Sequence, residues 1–165
     1  MQAKININYD TIYKDVRKYL LSVFPECEVI RGYSNNTPLP DDDFILMNII
    51  NETELNTSIN EYDRENEEKN ITKSIKMQMQ VDFFGELAGE RARVFCNLWR
   101  DFDACEHLEY CKPLYCDNVV YVNFVNEQSN FEDKYSVTIH LTYNVTVTRK
   151  QEFTDIVDLT IDYLN

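Results

Sequence analysis

The sequence is poor in residues that break or loosen a chain. Three glycines and four prolines in 165 residues exclude collagen-like, linker-like and low-complexity readings. Basic residues are also scarce: 16 Lys and Arg stand against 29 Asp and Glu, a formal net charge of −13. No Lys/Arg cluster exists to displace counterions from a phosphate backbone, which excludes a general electrostatic grip on nucleic acid. No apolar run reaches the ~18–20 residues of a membrane-spanning helix. The amino terminus, MQAKININYD, has no apolar signal core. Cytoplasmic synthesis and residence, with no membrane partner, are therefore expected. Asn-x-Ser/Thr triplets such as Asn51-Glu52-Thr53 and Asn70-Ile71-Thr72 mean nothing without secretion. The five cysteines, an odd count, fit reduced thiols better than a disulfide framework.

Aromatic residues are plentiful, 11 Tyr and 9 Phe, and the length suits one domain with a real hydrophobic core. The clearest local pattern runs from Met77 to Asp101. Met77, Met79, Val81 and Phe83 alternate with Gln78, Gln80 and Asp82, the period of a half-buried strand. After Gly85 the spacing changes to three and four: Leu87, Ala88, Arg91, Ala92, Phe95, Leu98, Trp99 and Phe102 form one face of a helix.

The same stripe recurs at Ile12, Tyr13, Val16, Leu20, Val23 and Phe24. This predicts a first helix from Asp10 or Thr11, ended by Pro25. VIRGYSNNTPLPDDD, residues 29–43, reads as a loop. Phe44 to Ile50 reads as a buried strand with Leu55 to Tyr62 beside it, and Arg64 to Asn70 as a charged turn. Ile71 to Phe84 is a long strand, Asp103 to Asp117 a compact Cys-rich stretch, Val119 to Val125 another strand, and Asn126 to Asn130 a turn. In Phe131 to Thr148, an apolar face from Tyr135 to Val147 alternates with a polar face from Ser136 to Thr148. The polar face is expected to meet water or a neighbour. Eighteen residues at ~3.3 Å each would span ~60 Å, so one end should project or bend. Ile156 to Leu164 is a candidate last strand. The expected class is α+β, a mainly antiparallel sheet with two main helices on one face.

Candidate chemistry is thin. Cys105, His107, Cys111 and Cys116 form a C-x-H-x3-C-x4-C run of zinc-competent ligands. It lacks the close ligand pairs of a zinc knuckle, and the bulky Leu108, Tyr110, Leu114 and Tyr115 favour packed thiols instead. No metal or other cofactor is expected. A cysteine nucleophile would need an imidazole partner. Of the two histidines, His107 and His140, the latter falls on a polar strand face and reads as a surface residue. No P-loop, nucleophile elbow or metalloprotease motif is present, and the chain does not read as an enzyme. Asp41, Asp42 and Asp43, and the Glu65, Glu67, Glu68 group, lack the spacing of a calcium loop and read as solvated acidic turns.

One resemblance gathers these pieces. Arg31-Gly32 with Asn36, Pro38 and Pro40, then Gln80-Val81-Asp82-Phe83-Phe84-Gly85, Ala88-Gly89-Glu90, Pro113-Leu114-Tyr115 and His140-Leu141-x-Tyr143-Asn144 occur in order between Val29 and Phe153. In this the chain resembles the neck and tail-terminator proteins of tailed phages and prophages. Cys111, Cys116 and the acidic Asp41 to Asp43 run depart from the family pattern. The resemblance implies a structural virion-assembly protein. It would form a hexameric ring at the head-proximal end of the tail that stops tube growth, helps join the head and lets DNA pass through its lumen. Implied partners are further copies of the chain, tail-tube proteins and head-completion proteins, with DNA passing but not specifically bound. Implied locations are the host cytoplasm during assembly and then the virion neck. Two placements are expected. The loop with Arg31, Tyr33, Asp41, Asp42 and Asp43, and the acidic turn at Arg64 to Asn70, face the lumen or a neighbouring ring. The strand face of Thr138, His140, Thr142, Asn144 and Thr146 makes subunit contacts, because exposed strands pair readily with other chains.

Two other classes remain open on sequence grounds. A small acidic immunity or inhibitor protein could use its carboxylates against a basic toxin or enzyme. A zinc-stabilised adaptor would contain stoichiometric metal and unfold on chelation.

Overall fold

The computed structural model describes residues 3–32, 40, 43–125 and 131–153. In chain order the elements are β1 (Lys4–Ile5), α1 (Tyr9–Val23), β2 (Glu28–Arg31), β3 (Phe44–Glu54), β4 (Ile59–Asp63), β5 (Glu68–Phe84), α2 (Ala88–Trp99), α3 (Phe102–His107), β6 (Lys112–Cys116), β7 (Val120–Val125) and β8 (Phe131–Lys150). The fold is α+β, an open, mostly antiparallel eight-stranded sheet under a layer of helices.

The sheet is built on one long ribbon. β5 and β8 pair antiparallel without interruption from Glu68↔Lys150 to Phe84↔Lys134, a span of about 55 Å at ~3.3 Å per residue. Short strands flank it. β3 and β4 pair one edge of β5 in succession, and β2 adds to β3 in the one parallel pairing among the described strands. β1, β6 and β7 share the outer edge of β8.

The alternation of the two long strands decides where the core lies. The pairs Ile75↔Tyr143, Met77↔Leu141, Met79↔Ile139 and Val81↔Val137 turn their side chains to one face, where all are buried. Ile12, Val16 and Leu20 of α1 and Ala88, Ala92, Phe95 and Trp99 of α2 close over them in one cluster. Each large side chain so buried contributes roughly 1.5–3 kcal/mol. Trp99 also donates its indole N–H to the Tyr115 carbonyl at 3.1 Å, which pins β6 beneath α2.

Several sequence expectations need correction. Asn8, not Asp10 or Thr11, caps α1; its side chain accepts from the Thr11 amide at 2.9 Å, as an N-cap oxygen should. Leu55 to Tyr62 does not lie beside the Phe44 strand. Its strand part, β4, continues along the same edge of β5, because Leu55 donates its amide to Ser74 and so closes β3 before β4 begins. The charged turn is shorter than expected, since β5 starts at Glu68 and the turn occupies residues 64–67. There Asp63 Oδ1 accepts the amides of Glu65 and Asn66, both at 3.1 Å, and Glu67 takes a left-handed φ of 51°. The candidate strand Ile156 to Leu164 and the turn at 126–130 lie outside the described residues.

Candidate functional site

The helix-free face of the sheet carries the polar residues of β8. Thr138, His140, Thr142, Asn144 and Thr146 stand opposite Gln80, Gln78, Lys76, Ser74 and Thr72. Much of this polarity is already satisfied within the chain. Thr72 and Thr146 share a hydroxyl hydrogen bond at 2.9 Å, Ser74 donates to Asn144 at 2.8 Å, and Thr142 donates to the Ile75 carbonyl at 2.9 Å. The face is thus a mostly uncharged amide and hydroxyl surface whose groups bond across the ribbon.

His140 departs from its expected surface position. It is buried, because the Tyr115 ring of β6 stacks on it at 4.1 Å between centroids. Its Nε2 lies 3.3 Å from the Asp117 carboxylate, and its Nδ1 has no hydrogen-bond partner among the described residues. Periodicity assigned the face correctly. It could not reveal that a strand 25 residues earlier would lay an aromatic ring over one position.

Of the loop from Arg31 to Asp43, residues 31, 32, 40 and 43 are described. Arg31 pairs with Asp10 at 2.7 Å and stacks its guanidinium over Tyr13 at 4.2 Å. Asp43 turns toward the body of the protein, where its carboxylate meets Arg91 of α2 at 2.7 Å. Arg91, itself buried, also reaches Glu26 at 3.2 Å. Tyr33, Asp41 and Asp42 lie outside the described residues. Asp43 sits beside Gly85, just past one end of β5, whereas the turn at 64–67 closes the other end. Asp43 and the turn at 64–67 are therefore separated by about 50 Å of strand.

The Cys-rich stretch does not converge. Cys105 and His107 are exposed on α3, and His107 Nδ1 engages the Asp103 carbonyl at 2.8 Å. Cys111 is buried against Asp15, its thiol 3.5 Å from the carboxylate. Cys116 is buried against α2, its thiol 3.6 Å from the Cys96 carbonyl. No group of three or more His, Cys, Asp or Glu among the described residues is placed to hold a metal ion. Burial pushes the Cys96 thiol up to about 12, helped by the neighbouring Cys116. Burial, with Asp15 beside it, pushes the Cys111 thiol upward as well. Thiols held protonated in this way are poor nucleophiles and poor ligands.

Two buried carboxylates, given no role from the sequence, organise their surroundings. Asp15, buried on α1, accepts the consecutive amides of Glu109, Tyr110 and Cys111 at 3.1, 2.7 and 3.2 Å. Asp82, buried on β5, is held by Lys134 at 2.9 Å, by the Gln80 amide and by Ser136. For Asp15 a signal exists: a carboxylate falls within the apolar stripe of α1, between Ile12 and Val16. A charge in that position must find a buried partner.

β7 leaves Val120, Tyr121 and Val122 exposed. On the opposite side Ile50, Leu55, Ile59 and Tyr62 are exposed along β3 and β4. Both borders present apolar side chains and strand backbone rather than a cleft with convergent catalytic groups.

This arrangement suits assembly, and comparison with known proteins agrees. No curated protein matches the chain. The sequence model of one family, described as phage neck terminator protein, matches residues 10–165. The chain belongs to the phage neck terminator family.

Proposed function

We propose that this chain closes into a hexameric ring at the head-proximal end of a phage tail. There it ends tube growth, offers a surface to head-completion proteins and leaves a channel for DNA. A structural role at the virion neck follows from the family; the ring, the channel and the individual partners are the proposal. The observation that carries it is the family match over residues 10–165.

Two features support the finer picture. The β5–β8 ribbon has chemically different ends, the Asp43–Arg91 corner at one and the Asp63-capped turn at the other. A ring whose strands run between its two rims would present one end toward the tube and the other toward the head. The face of Thr138, Thr142, Asn144 and Thr146 bonds largely within its own ribbon. Such a mostly uncharged surface, its one opposing lysine, Lys76, bonded to the Tyr115 hydroxyl, suits a channel wall past which DNA slides better than it suits an adhesive contact. The acidic surplus of the chain opposes DNA retention in the same way. This reading moves the subunit contact away from that face and toward the sheet borders.

The test is inactivation of the gene in the phage that encodes the chain. Electron microscopy of lysates is expected to show unjoined heads and tails of uncontrolled length, both corrected by supplying the protein in trans. Normal, joined virions without the protein would overturn the proposal.

A further inference from the structure

The border strands of this sheet are not alike. A free strand edge invites pairing with another chain, and proteins blunt such edges with charge, proline, bulges or brevity. β1 is two residues long and includes Lys4. In β2 the Val29 carbonyl is taken by Arg17 at 3.0 Å. β3 has a register shift between Ile49 and Asn51. β4 carries Glu61 and Asp63. β6 contains Lys112 and Pro113 and shifts register after Pro113. β7, VYVNFV, has none of these devices. Six uncharged residues without proline or glycine form a regular strand that is an edge among the described residues, with Val120, Tyr121 and Val122 exposed by 54, 53 and 36 %. In a chain of net charge −13, such a strand is a pairing hazard unless something covers it.

We infer that the outer edge of β7 pairs with the opposite sheet border, residues 48–63, of a second copy of this chain. Strand polarity favours it. β3 and β4 run antiparallel to β5, β5 to β8, and β8 to β7. β7 of one copy therefore meets β3 or β4 of an equally oriented neighbour in antiparallel fashion, the more stable pairing. Charge points the same way. Phe44 to Asp63 contains four carboxylates and no Lys or Arg, so two such borders would oppose like charges, whereas β7 brings none. A contact between unlike borders is heterologous, and a rotation that closes it produces a ring. The inference rests on the ring reading above and names the surface that would build it.

The test places a photoreactive benzoylphenylalanine at Val122 in an equal mixture of ¹⁴N- and ¹⁵N-labelled protein, and separately in virions, with cross-linked peptides mapped by mass spectrometry. Mixed-isotope links from position 122 to residues 48–63 are expected. In parallel, Val120→Lys/Val122→Lys is expected to weaken self-association at least tenfold while far-UV circular dichroism and thermal midpoint stay unchanged. A ring whose position 122 links instead to β7 of another copy, to a different virion protein, or to residues 154–165 of its own chain overturns the edge pairing and leaves the ring reading standing. A ring that persists in the double variant does the same. No ring and no interchain link, in solution or in virions, would end both.

Discussion

Arg91 donates from Nη1 to Asp43 Oδ2 across 2.7 Å, tying the first turn of α2 to the residue that opens β3. Arg91 is 8 % exposed, so removing its partner leaves a charge with reduced access to water. Asp43→Ala is expected to cost about 1–3 kcal/mol, less than a full burial penalty because Glu26 remains 3.2 Å away. Thermal melts would show the loss. Charge reversal at Asp43 would therefore report mainly on stability, and a test of the acidic loop against DNA or a neighbouring ring belongs at Asp41 and Asp42.

Gly85 lies against the same carboxylate. Its φ is +105°, and an added Cβ would fall 1.6 Å from Asp43 Oδ1. Gly85→Ala is expected to destabilise by roughly 2 kcal/mol or more, from backbone strain together with displacement of Asp43. A double-mutant cycle with Asp43→Ala should be strongly non-additive. Additive costs would mean that the two residues do not act through one contact.

Asp15 holds the 109–111 segment by three amides. Asp15→Ala leaves those donors without their acceptor and is expected to cost about 2–4 kcal/mol. Hydrogen exchange at Glu109, Tyr110 and Cys111 should accelerate more than exchange in the β5–β8 ribbon. Uniform acceleration across the protein would show that the loss is global rather than centred on this loop.

The buried thiols and phenols set an alkaline limit. Burial raises Cys96 and Cys111, and burial with Asp103 and Glu52 as respective partners raises Tyr19 and Tyr143. Each group has a folded pKa above its unfolded value, so its contribution is intact below the unfolded value and is lost as pH rises toward the folded one. Stability should hold below about pH 9 and fall progressively toward pH 12. Iodoacetamide at mildly alkaline pH should modify exposed Cys105 rapidly and the four buried cysteines slowly. Equal rates at all five would contradict this burial pattern.

The parts of the fold legible in the sequence are those governed by local period. Met77 to Phe83 and Val137 to Tyr143 alternate because each strand lies between core and solvent, and the stripes of α1 and α2 follow from one packed side. The short strands β1, β2 and β6 were not foreseen, since their few residues become strands only through the edge they meet. The burial of His140 and the Arg91 partner of Asp43 were not foreseen for a related reason. The contacts that bury or pair them, with Tyr115 and Arg91, come from distant segments and leave no periodic trace. Three motif residues of the family resemblance sit at such joints: Gly85 against Asp43, Gly89 under Tyr135 and Tyr115 on His140.

The most direct measurement is cryo-electron microscopy of the neck of intact virions. We expect a single closed ring of six copies of this chain between the last tube ring and the head-completion proteins. Virions whose necks lack the chain, or hold it in an unclosed arrangement, would contradict the account.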